Sequence, residues 1–342
     1  MKRPLSVLVT GADGMVSYAL LPHLCSGQTW GPDQPINLNL YSHHEMRFLN
    51  ALQWELEDCL HSLVKSIHVT TDLAEATKDA DVVIVIEHDV HKSSDTEGEE
   101  LKSKIEANAS IMRDIASSMA ANSKATVKLL VAGENSNTNC LVASECAPRI
   151  PRANITGLSR LEYNRGVSQL AGKTGEACNT VCNLCVWGKV GKTELPDART
   201  CTIAGRPAKQ AIGDDEWTDN AFVVNVTERG AILSHGHHGK TRTEALSMAQ
   251  AISDHLHDWM IGTPPGRHVP MSVDSSENSY GVSPGLFFSL PCTCSRGEWS
   301  IVDGLATDDA VREKLMITEN DLLDEKTIAL EFLKGAPTTT AE

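Results

Sequence analysis

The chain contains 342 residues, of which 41% are hydrophobic, and its formal net charge is −15. This length and apolar content allow a well-buried core and predict two domains. The negative charge argues against nucleic-acid binding, which requires basic patches. No apolar stretch approaches the 18 residues of a membrane span, and no signal-peptide pattern is present, so we expect neither a nucleic acid nor a membrane as a partner.

In the first part of the chain, strand-like and helix-like patterns alternate. The predicted strands span residues 5–10, 36–41, 67–70, 82–86 and 127–132, and the predicted helices extend to residue 24 and over residues 46–63, 73–80 and 101–121. Alternation on this spacing predicts an α/β fold with a doubly wound parallel sheet. We assign this dinucleotide-binding type of domain to residues 1–157.

The pattern changes after residue 157. Helices are predicted over residues 161–171, 218–233, 241–259 and 307–333, with a possible helix start at 318–321, and strands over residues 179–187, 200–203, 286–290 and 298–302. The mixture predicts a C-terminal α+β domain over residues 158–334. The small polar residues 335–342 predict a disordered tail.

The ten cysteines are scattered, apart from a close group at Cys178, Cys182 and Cys185. Cys182 and Cys185 could form a redox pair or half of a zinc site. They fall within a strand-like run, where residues three apart point to opposite faces, and no nearby ligand pair completes a tetrahedral set. We therefore predict reduced structural thiols, no bound metal and a reducing compartment, the cytoplasm.

A glycine turn with Gly11 and Gly14 follows the first predicted strand and precedes a helix that begins near Met15. Such a turn can hold a pyrophosphate at the helix N-terminus, although glycine turns also occur without a ligand. Asp13 lies inside the turn, where a carboxylate would repel phosphate unless it points away.

The end of the second predicted strand has no acidic residue. A dinucleotide site normally has an acid there to hold the ribose hydroxyls, and this segment contains Ser42 and His43 instead, with Glu45 too late. Either the loop binds nothing, which we favour, or Ser42, His43 and Arg47 accommodate a phosphorylated ribose. Any dinucleotide would then bind weakly.

Several segments together resemble cytosolic-type malate dehydrogenase. They are residues 7–21, 54–59, 133–141, 158–165, 187–190, 262–266 and 278–282. The resemblance implies a Rossmann domain, a second α+β domain that carries half of the active site, and a homodimer. It also implies NAD or NADP as cofactor, with Gly11, Gly14, Met15, Ser42 and Asn135 as the residues that would contact it.

By resemblance, the residues that carry this family's chemistry differ at three single positions and in one loop. By resemblance, Val190 stands where the family has its catalytic His, and Glu162 stands where an Asp orients that His. Glu134 replaces an Asn that contacts cofactor and substrate. Arg160 is the remaining residue that we match to substrate binding, and we expect it to pair with Glu162 or Glu134. Valine cannot carry a proton at any pH.

The segment of residues 87–100 matches the family's mobile loop, which holds substrate with two arginines. Here it contains six acids and no arginine, so it cannot form a bidentate fork with a carboxylate. His235, His237 and His238 could supply a substitute base or bind a metal, and His88 and His91 are weaker candidates. A run of this kind is more often an exposed polar loop.

Three functions remain open. The first, which we favour, is a malate dehydrogenase-like protein that is catalytically silent and has a binding or structural role. The second is an active NAD(P)-dependent oxidoreductase with a changed 2-oxo acid substrate and a substitute base. The third is a working malate dehydrogenase with unusual residues. A changed substrate would explain the lost arginines but not the lost His, because reduction of any 2-oxo acid needs a proton donor.

Overall fold

The computed structural model describes residues 2–43, 46–86, 97–133, 135–191, 193–236 and 244–335. Its first half consists of β1 (Leu5–Thr10), α1 (Met15–Ser26), β2 (Ile36–Tyr41), α2 (Met46–Asp58), β3 (Val64–Thr70), α3 (Leu73–Thr77), β4 (Val82–Ile86), α4 (Glu97–Asn122), β5 (Lys128–Ala132), α5 (Ser136–Cys146) and β6 (Ile155–Gly157).

The second half is built from shorter strands and longer helices. It consists of α6 (Arg160–Thr174), β7 (Val181–Cys182), β8 (Cys185–Trp187), β9 (Leu195–Asp197), β10 (Thr202–Ile203), β11 (Arg206–Pro207), α7 (Ala208–Ile212), α8 (Phe222–Thr227), α9 (Arg229–Gly236), α10 (Ala245–Ile261), β12 (Val269–Asp274), β13 (Phe287–Ser295), β14 (Glu298–Ile301) and α11 (Asp309–Gly335).

One nine-stranded sheet runs through both halves. Its order is β14-β13-β12-β6-β5-β4-β1-β2-β3, and the six strands from β6 to β3 are parallel. The sheet then continues through the antiparallel strands β12, β13 and β14. The predicted domain boundary after residue 157 falls at the end of β6, where β12 joins the sheet. The order and the directions of the strands confirm the predicted doubly wound α/β fold.

The core has two main layers because successive strand residues point to opposite faces. Val7 and Val9 of β1 pack into the layer that contains residues of α1, α2 and α10, and Leu8 packs into the layer with α4 and α5. A third cluster joins α6, α8 and the small strands β7 and β10. Within the described residues, no helix is long and apolar enough to cross a membrane.

Several predicted boundaries in the first half were wrong. The second helix ends at Asp58, and Leu60 adopts a positive φ of 54° that interrupts the helical pattern before β3. Helix α4 begins at Glu97 rather than at Leu101, which places acidic residues in its first turn, where the helix dipole favours them. Helix α5 was not predicted at all.

The strand predicted over residues 179–187 is interrupted. A 3₁₀ turn, Cys178–Thr180, precedes β7, and Asn183 adopts a φ of 63° between β7 and β8. Cys182 and Cys185 therefore lie on separate strands, in different small sheets. All ten cysteines lie in the described part of the chain and are free thiols, and burial raises the pKa of the Cys185 thiol to about 12.

The helices of the second half also differ from their predicted limits. The segment predicted as one helix over residues 218–233 forms a π-helical turn, Trp217–Ala221, followed by α8 and α9. Helix α11 is continuous through residues 318–321, where we expected a helix to start, and it ends at Gly335. The remaining tail, residues 336–342, lies outside the described residues.

Candidate functional site

The glycine turn connects β1 to α1 and leaves the start of that helix without a side-chain cap. Gly11 has a φ of 61°, which favours glycine, and the Ser17 hydroxyl donates to the Gly11 carbonyl oxygen at 2.7 Å. Gly14 is the N-cap residue, and because glycine has no side chain, it cannot cap the helix. The turn and the uncapped α1 N-terminus together fit a pyrophosphate. Met15, the first helical residue, is exposed.

A cavity opens beside this turn. It is walled mainly by apolar side chains from the ends of β2 and β4 and from one face of α4, with two asparagines. Its lining consists of Thr10, Gly11, Tyr41, Ser42, His43, Val85, Ile86, Asn108, Ile111, Met112, Ile115 and Asn139. An apolar cavity next to a turn that fits a pyrophosphate suits a flat base such as adenine.

The end of β2 does have an acid beside it, contrary to our expectation. The Ser42 hydroxyl donates to a carboxylate oxygen of Asp13 at 2.7 Å, so the acid comes from the glycine turn rather than from β2. Asp13 therefore points toward the β2 end. His43 is exposed and bonds through Nδ1 to the Tyr41 hydroxyl at 2.9 Å, while Arg47 is exposed in the first turn of α2.

Asn135, the last residue that we matched to cofactor binding, is buried and precedes α5. Glu134 lies outside the described residues. Asn137, the second residue of α5, joins the two halves of the molecule. Its Nδ2 donates to Ser272 Oγ at 3.0 Å, and its Oδ1 accepts from the Val190 backbone N–H at 3.0 Å.

The Gly188–Val190 segment is held by α11 as well as by α5. A Cβ atom on Gly188, whose φ is 99°, would lie 2.5 Å from Thr318, so only glycine allows this approach. The Lys189 backbone N–H donates to Thr318 Oγ1 at 2.8 Å, and Lys189 Nζ lies 2.5 Å from buried Glu325. Val190 is half-buried and contributes no polar side-chain atom.

Three glutamates and one arginine form a cluster, and one of them, Glu194, bonds to the residue after Val190. We call Glu162, Arg165, Glu194 and Glu244 the acidic cluster. Arg165 lies between two of the glutamates: its Nη1 lies 3.5 Å from Glu162 and its Nη2 donates to Glu244. Glu194 accepts from the Gly191 backbone N–H at 3.4 Å.

Burial dominates the protonation of Glu162 and Glu194. It raises the pKa of Glu162, although Arg165 partly opposes the shift. Burial and the nearby Glu162 carboxylate together raise the pKa of Glu194 well above its usual range. One oxygen of Glu162 has no hydrogen-bond partner in the described part of the molecule. The cluster therefore favours a retained proton and disfavours additional negative charge.

Arg160 does not pair with Glu162, one of its two expected partners, and the other, Glu134, lies outside the described residues. Arg160 pairs with Asp258 of α10, its Nε donates to Asn164 at 3.2 Å, and its guanidinium lies 4.9 Å from the centre of the Tyr163 ring. Residues two apart on a helix do not face each other, so Arg160 cannot reach Glu162, whereas Arg165 lies one turn along from it. The cation next to Glu162 is Arg165, which the i, i+3 spacing could have indicated.

The histidine candidates cannot be placed at this site. His235 lies on α9, but its side chain is outside the described part, as are His88, His91, His237 and His238. Within the described ranges, no group of three His, Cys, Asp or Glu side chains could hold a metal ion.

A six-stranded parallel sheet with a glycine turn after its first strand defines the class of dinucleotide-binding α/β proteins. The profile described as lactate/malate dehydrogenase, NAD binding domain, matches residues 5–156. The profile described as lactate/malate dehydrogenase, alpha/beta C-terminal domain, matches residues 159–333. The chain therefore belongs to the lactate/malate dehydrogenase family.

Similar proteins span the whole chain. The cytoplasmic malate dehydrogenase of Zea mays is 37% identical over 97% of this chain and 99% of its own length. That of Homo sapiens is 38% identical over 98% and 100%. Among solved structures, malate dehydrogenase from Naegleria fowleri gives a TM-score of 0.89 at 28% identity, covering 97% of this chain and 99% of that one. Trichomonas vaginalis lactate dehydrogenase in complex with NADH and oxamate gives 0.88 at 31% identity, covering 97% and 100%.

Proposed function

We propose that this chain is a dinucleotide-binding member of its family that does not interconvert malate and oxaloacetate. The observation that carries the proposal is the position of Val190. Its backbone N–H donates to Asn137 Oδ1, the next residue bonds to Glu194 of the acidic cluster, and its own side chain is a hydrocarbon. Reduction of a 2-oxo acid requires a proton for the carbonyl oxygen, and Val190 cannot supply one.

The partners of Glu162 support this proposal. In the family, by resemblance, the matching acid orients an imidazole. Within the described residues, Glu162 instead faces Arg165 at 3.5 Å and no histidine bonds to it. A carboxylate that pairs with an arginine on its own helix needs no imidazole to balance its charge.

The charge of the cluster also opposes a dicarboxylate. Three glutamates surround one guanidinium, and Arg165 already donates to Glu244. An incoming carboxylate would have to displace that partner, and a second negative charge would be repelled at close range. The predicted substrate loop, of which residues 87–96 lie outside the described part, adds acids rather than arginines.

The cofactor cleft retains the features that dinucleotide binding needs. We assign the turn of Gly11, Gly14 and Met15 to the pyrophosphate and the cavity lined by Ser42 to the adenosine, and Asn135 precedes α5 near the same edge of the sheet. When bound, a nicotinamide would exchange a hydride with a substrate carbon. We further propose a cytoplasmic homodimer, because the similar malate dehydrogenases are named cytoplasmic and the family resemblance implies a dimer.

Steady-state assays with malate and oxaloacetate, using NAD(H) and NADP(H), test the proposed absence of malate dehydrogenase activity, which we call the silent function. Loss of the acid–base group alone would lower a median enzyme rate of about 10 per second by about 100- to 10,000-fold. We expect turnover below about 0.1 per second, with an active cytoplasmic malate dehydrogenase assayed in parallel. Turnover near 10 per second would overturn the proposal.

The protonation and position of Glu194 support one alternative function, the reduction of a different 2-oxo acid. This buried carboxyl tends to keep its proton and is bonded to the residue after Val190, so it could donate a proton to a different 2-oxo acid. A panel of neutral 2-oxo acids with NADH tests this function. Turnover that disappears in Glu194→Gln but persists in the exposed control Glu228→Gln would establish it.

A further inference from the structure

Arg165 of α6 contacts two carboxyl groups and does not hold them equally. Its Nη2 donates to Glu244, whereas its Nη1 lies 3.5 Å from an oxygen of Glu162. Charge-assisted bonds between a guanidinium and a carboxylate are usually about 2.7–2.9 Å long. Glu244 is therefore the bonded partner of this guanidinium, and Glu162 is a second acid that faces it.

Glu162 is buried with too few partners to carry a charge easily. Its side chain is 6% exposed, and one of its oxygens has no hydrogen-bond partner within the described residues. The described groups that face it are one cation, Arg165, and two further acids, Glu194 and Glu244. If all three acids were ionised, negative charge would be in excess away from water, which is costly. The cluster is neutral when Glu244 is ionised and Glu162 and Glu194 keep their protons.

The described parts of the elements that surround this cluster bring no other charge to it. The nearby charged pairs are closed within themselves, Arg160 with Asp258 of α10 and Arg199 with Asp197 of β9. Helix α8 carries no titratable side chain, and Arg229 of α9 forms no ion pair with the cluster within the described ranges. The charge of the cluster is thus set by its own members.

Glu244 holds the start of α10. It precedes this helix, and its carbonyl oxygen accepts from the Met248 backbone N–H at 2.8 Å. Its φ of 64° is unfavourable for a residue with a Cβ atom, so the bond to Arg165 helps to keep it there. Gly230 of α9 leaves room for this bond, because a Cβ atom there would lie 3.1 Å from Glu244 Oε1. The side chain of Glu244 is 22% exposed, so it has access to water that Glu162 lacks.

We propose that Glu162, Arg165 and Glu244 form a pH-dependent latch, which is closed while Glu162 is protonated and opens once Glu162 ionises. When Glu162 loses its proton to water, Arg165 gains a second anionic partner, and the two carboxylates repel each other. Glu244 is the one that can move into water, and its release relaxes the backbone and frees the first turn of α10.

The direction of the response follows from the burial of Glu162. Burial raises the pKa of this carboxyl, so the closed latch persists above the usual range of a glutamic acid. It is lost as the pH rises through the raised value. The latch needs neither a dinucleotide nor a substrate, so it operates whether or not the chain has the proposed function.

Hydrogen exchange, measured by mass spectrometry on the full chain, tests the latch. Exchange would be followed between about pH 5 and about pH 9, which covers most carboxyls whose pKa burial has raised. Each rate is divided by that of an unstructured peptide at the same pH. The reporter is the first turn of α10, which includes the Met248 amide, and the amides of β4 serve as an internal reference.

Three variants separate the parts of the latch. Glu162→Gln fixes its neutral state, Glu244→Gln removes the charge that Arg165 holds, and Glu228→Gln is the control, an equal change at an exposed acid. In the original chain, we expect the protection of the α10 turn to fall by about tenfold to a hundredfold as the pH rises, the range for a lost hydrogen bond to a charged group.

Glu162→Gln should keep the high protection at every pH, and Glu244→Gln should show the low protection at every pH. Glu228→Gln should follow the original chain, and the protection of β4 should stay constant throughout. Thermal unfolding checks that each variant folds. If Glu162→Gln does not fold, the loss of the pH response in Glu244→Gln decides the question alone.

Each contrary result overturns the latch for a different reason. Constant protection of the α10 turn in the original chain would show that it does not open. An unchanged pH response in Glu162→Gln would assign the opening to another group, and an unchanged response in Glu244→Gln would show that the ion pair does not hold α10. A parallel loss in β4 would indicate general unfolding. None of these results bears on malate turnover or dinucleotide binding, so failure of the latch is distinct from failure of the proposed function.

Discussion

Arg165 of α6 donates to the carboxylate of Glu244, the residue that precedes α10. Glu244 adopts a positive φ of 64°, a conformation that costs about 1–2 kcal/mol for a residue with a Cβ atom. Tertiary contacts must hold it there, and the ion pair with Arg165 is one of them. The protein thus supplies its own carboxylate to the cation beside Glu162, in competition with any carboxylate substrate.

The first prediction concerns Glu244→Gln, which removes this charge and keeps an amide of the same size. We expect the variant, but not the original chain, to bind a small dicarboxylate such as malonate, because Arg165 becomes available. At about five times its Kd, the ligand should stabilise the variant by about 1 kcal/mol. Thermal unfolding with increasing malonate measures this effect. Glu228→Gln, an equal charge change on the exposed end of α8, is the control, and an equal malonate response in both variants would refute the prediction.

The second prediction is that Val190→His alone does not restore malate turnover. The new imidazole would find Glu162 paired with Arg165, and Arg165 bonded to Glu244. Residues that act as a unit are not additive, so one of them recovers little alone. We expect turnover to remain within about threefold of the original chain, as in Val190→Asn, a polar control without a titrating ring. A gain of a hundredfold or more for Val190→His only would show that Val190 alone accounts for the absence of malate turnover.

The parallel half of the fold could be predicted because its signals are local. The runs 82–86 and 127–132 are continuous and apolar, as buried parallel strands require, and both are strands in the sheet. Helix α5 was not predicted because the polar residues Asn137, Thr138 and Asn139 form a pattern that is typical of a loop. All three are buried, and Asn137 finds its partners on Ser272, Phe287 and Val190, which no local pattern reveals.

The site was harder to predict because its contacts join distant residues. Asp13 and Ser42 are 29 positions apart, so no local pattern indicates that the glycine turn supplies an acid to the end of β2. Arg160 was preferred to Arg165 by resemblance alone. Helix geometry would have selected Arg165, since only that arginine is one turn from Glu162.

The third prediction is a loss of stability in mild acid that depends on His255. Burial, with Arg160 nearby, lowers the pKa of His255 to about 3. The unfolded chain takes up this proton below about pH 6.5, whereas the folded chain does not until about pH 3. The contribution of neutral His255 to the free energy of unfolding is therefore fully present above pH 6.5. It falls as the pH decreases, by about 2 kcal/mol at pH 5.

Chemical denaturation at pH 7.5 and pH 5 measures this difference. His255→Gln should be less stable at pH 7.5, since the contacts to Thr156 and Trp259 change, but it should lose about 2 kcal/mol less on acidification. His268, whose pKa burial lowers to about 4, should account for part of the remaining loss. His23→Gln, on α1, is the control. Identical pH dependence in His255→Gln and in the original chain would contradict a buried neutral His255.

The last prediction is a homodimer that uses the outer face of α2. Leu49, Leu52 and Leu56 of this helix are buried, while Phe48 and Trp54 are exposed, Trp54 by 64%. Trp54 lies on the side of the helix opposite the buried leucines, and an exposed aromatic side chain there indicates an interaction surface. Sedimentation at micromolar concentration should give twice the 37.0 kDa mass of the chain.

Trp54→Ala should weaken association by about 30-fold or more, as expected for a central interface tryptophan. Met316→Ala, an equally exposed side chain on α11, should not. A monomer in the original chain, or equal association in both variants, would show that this face of α2 has another role.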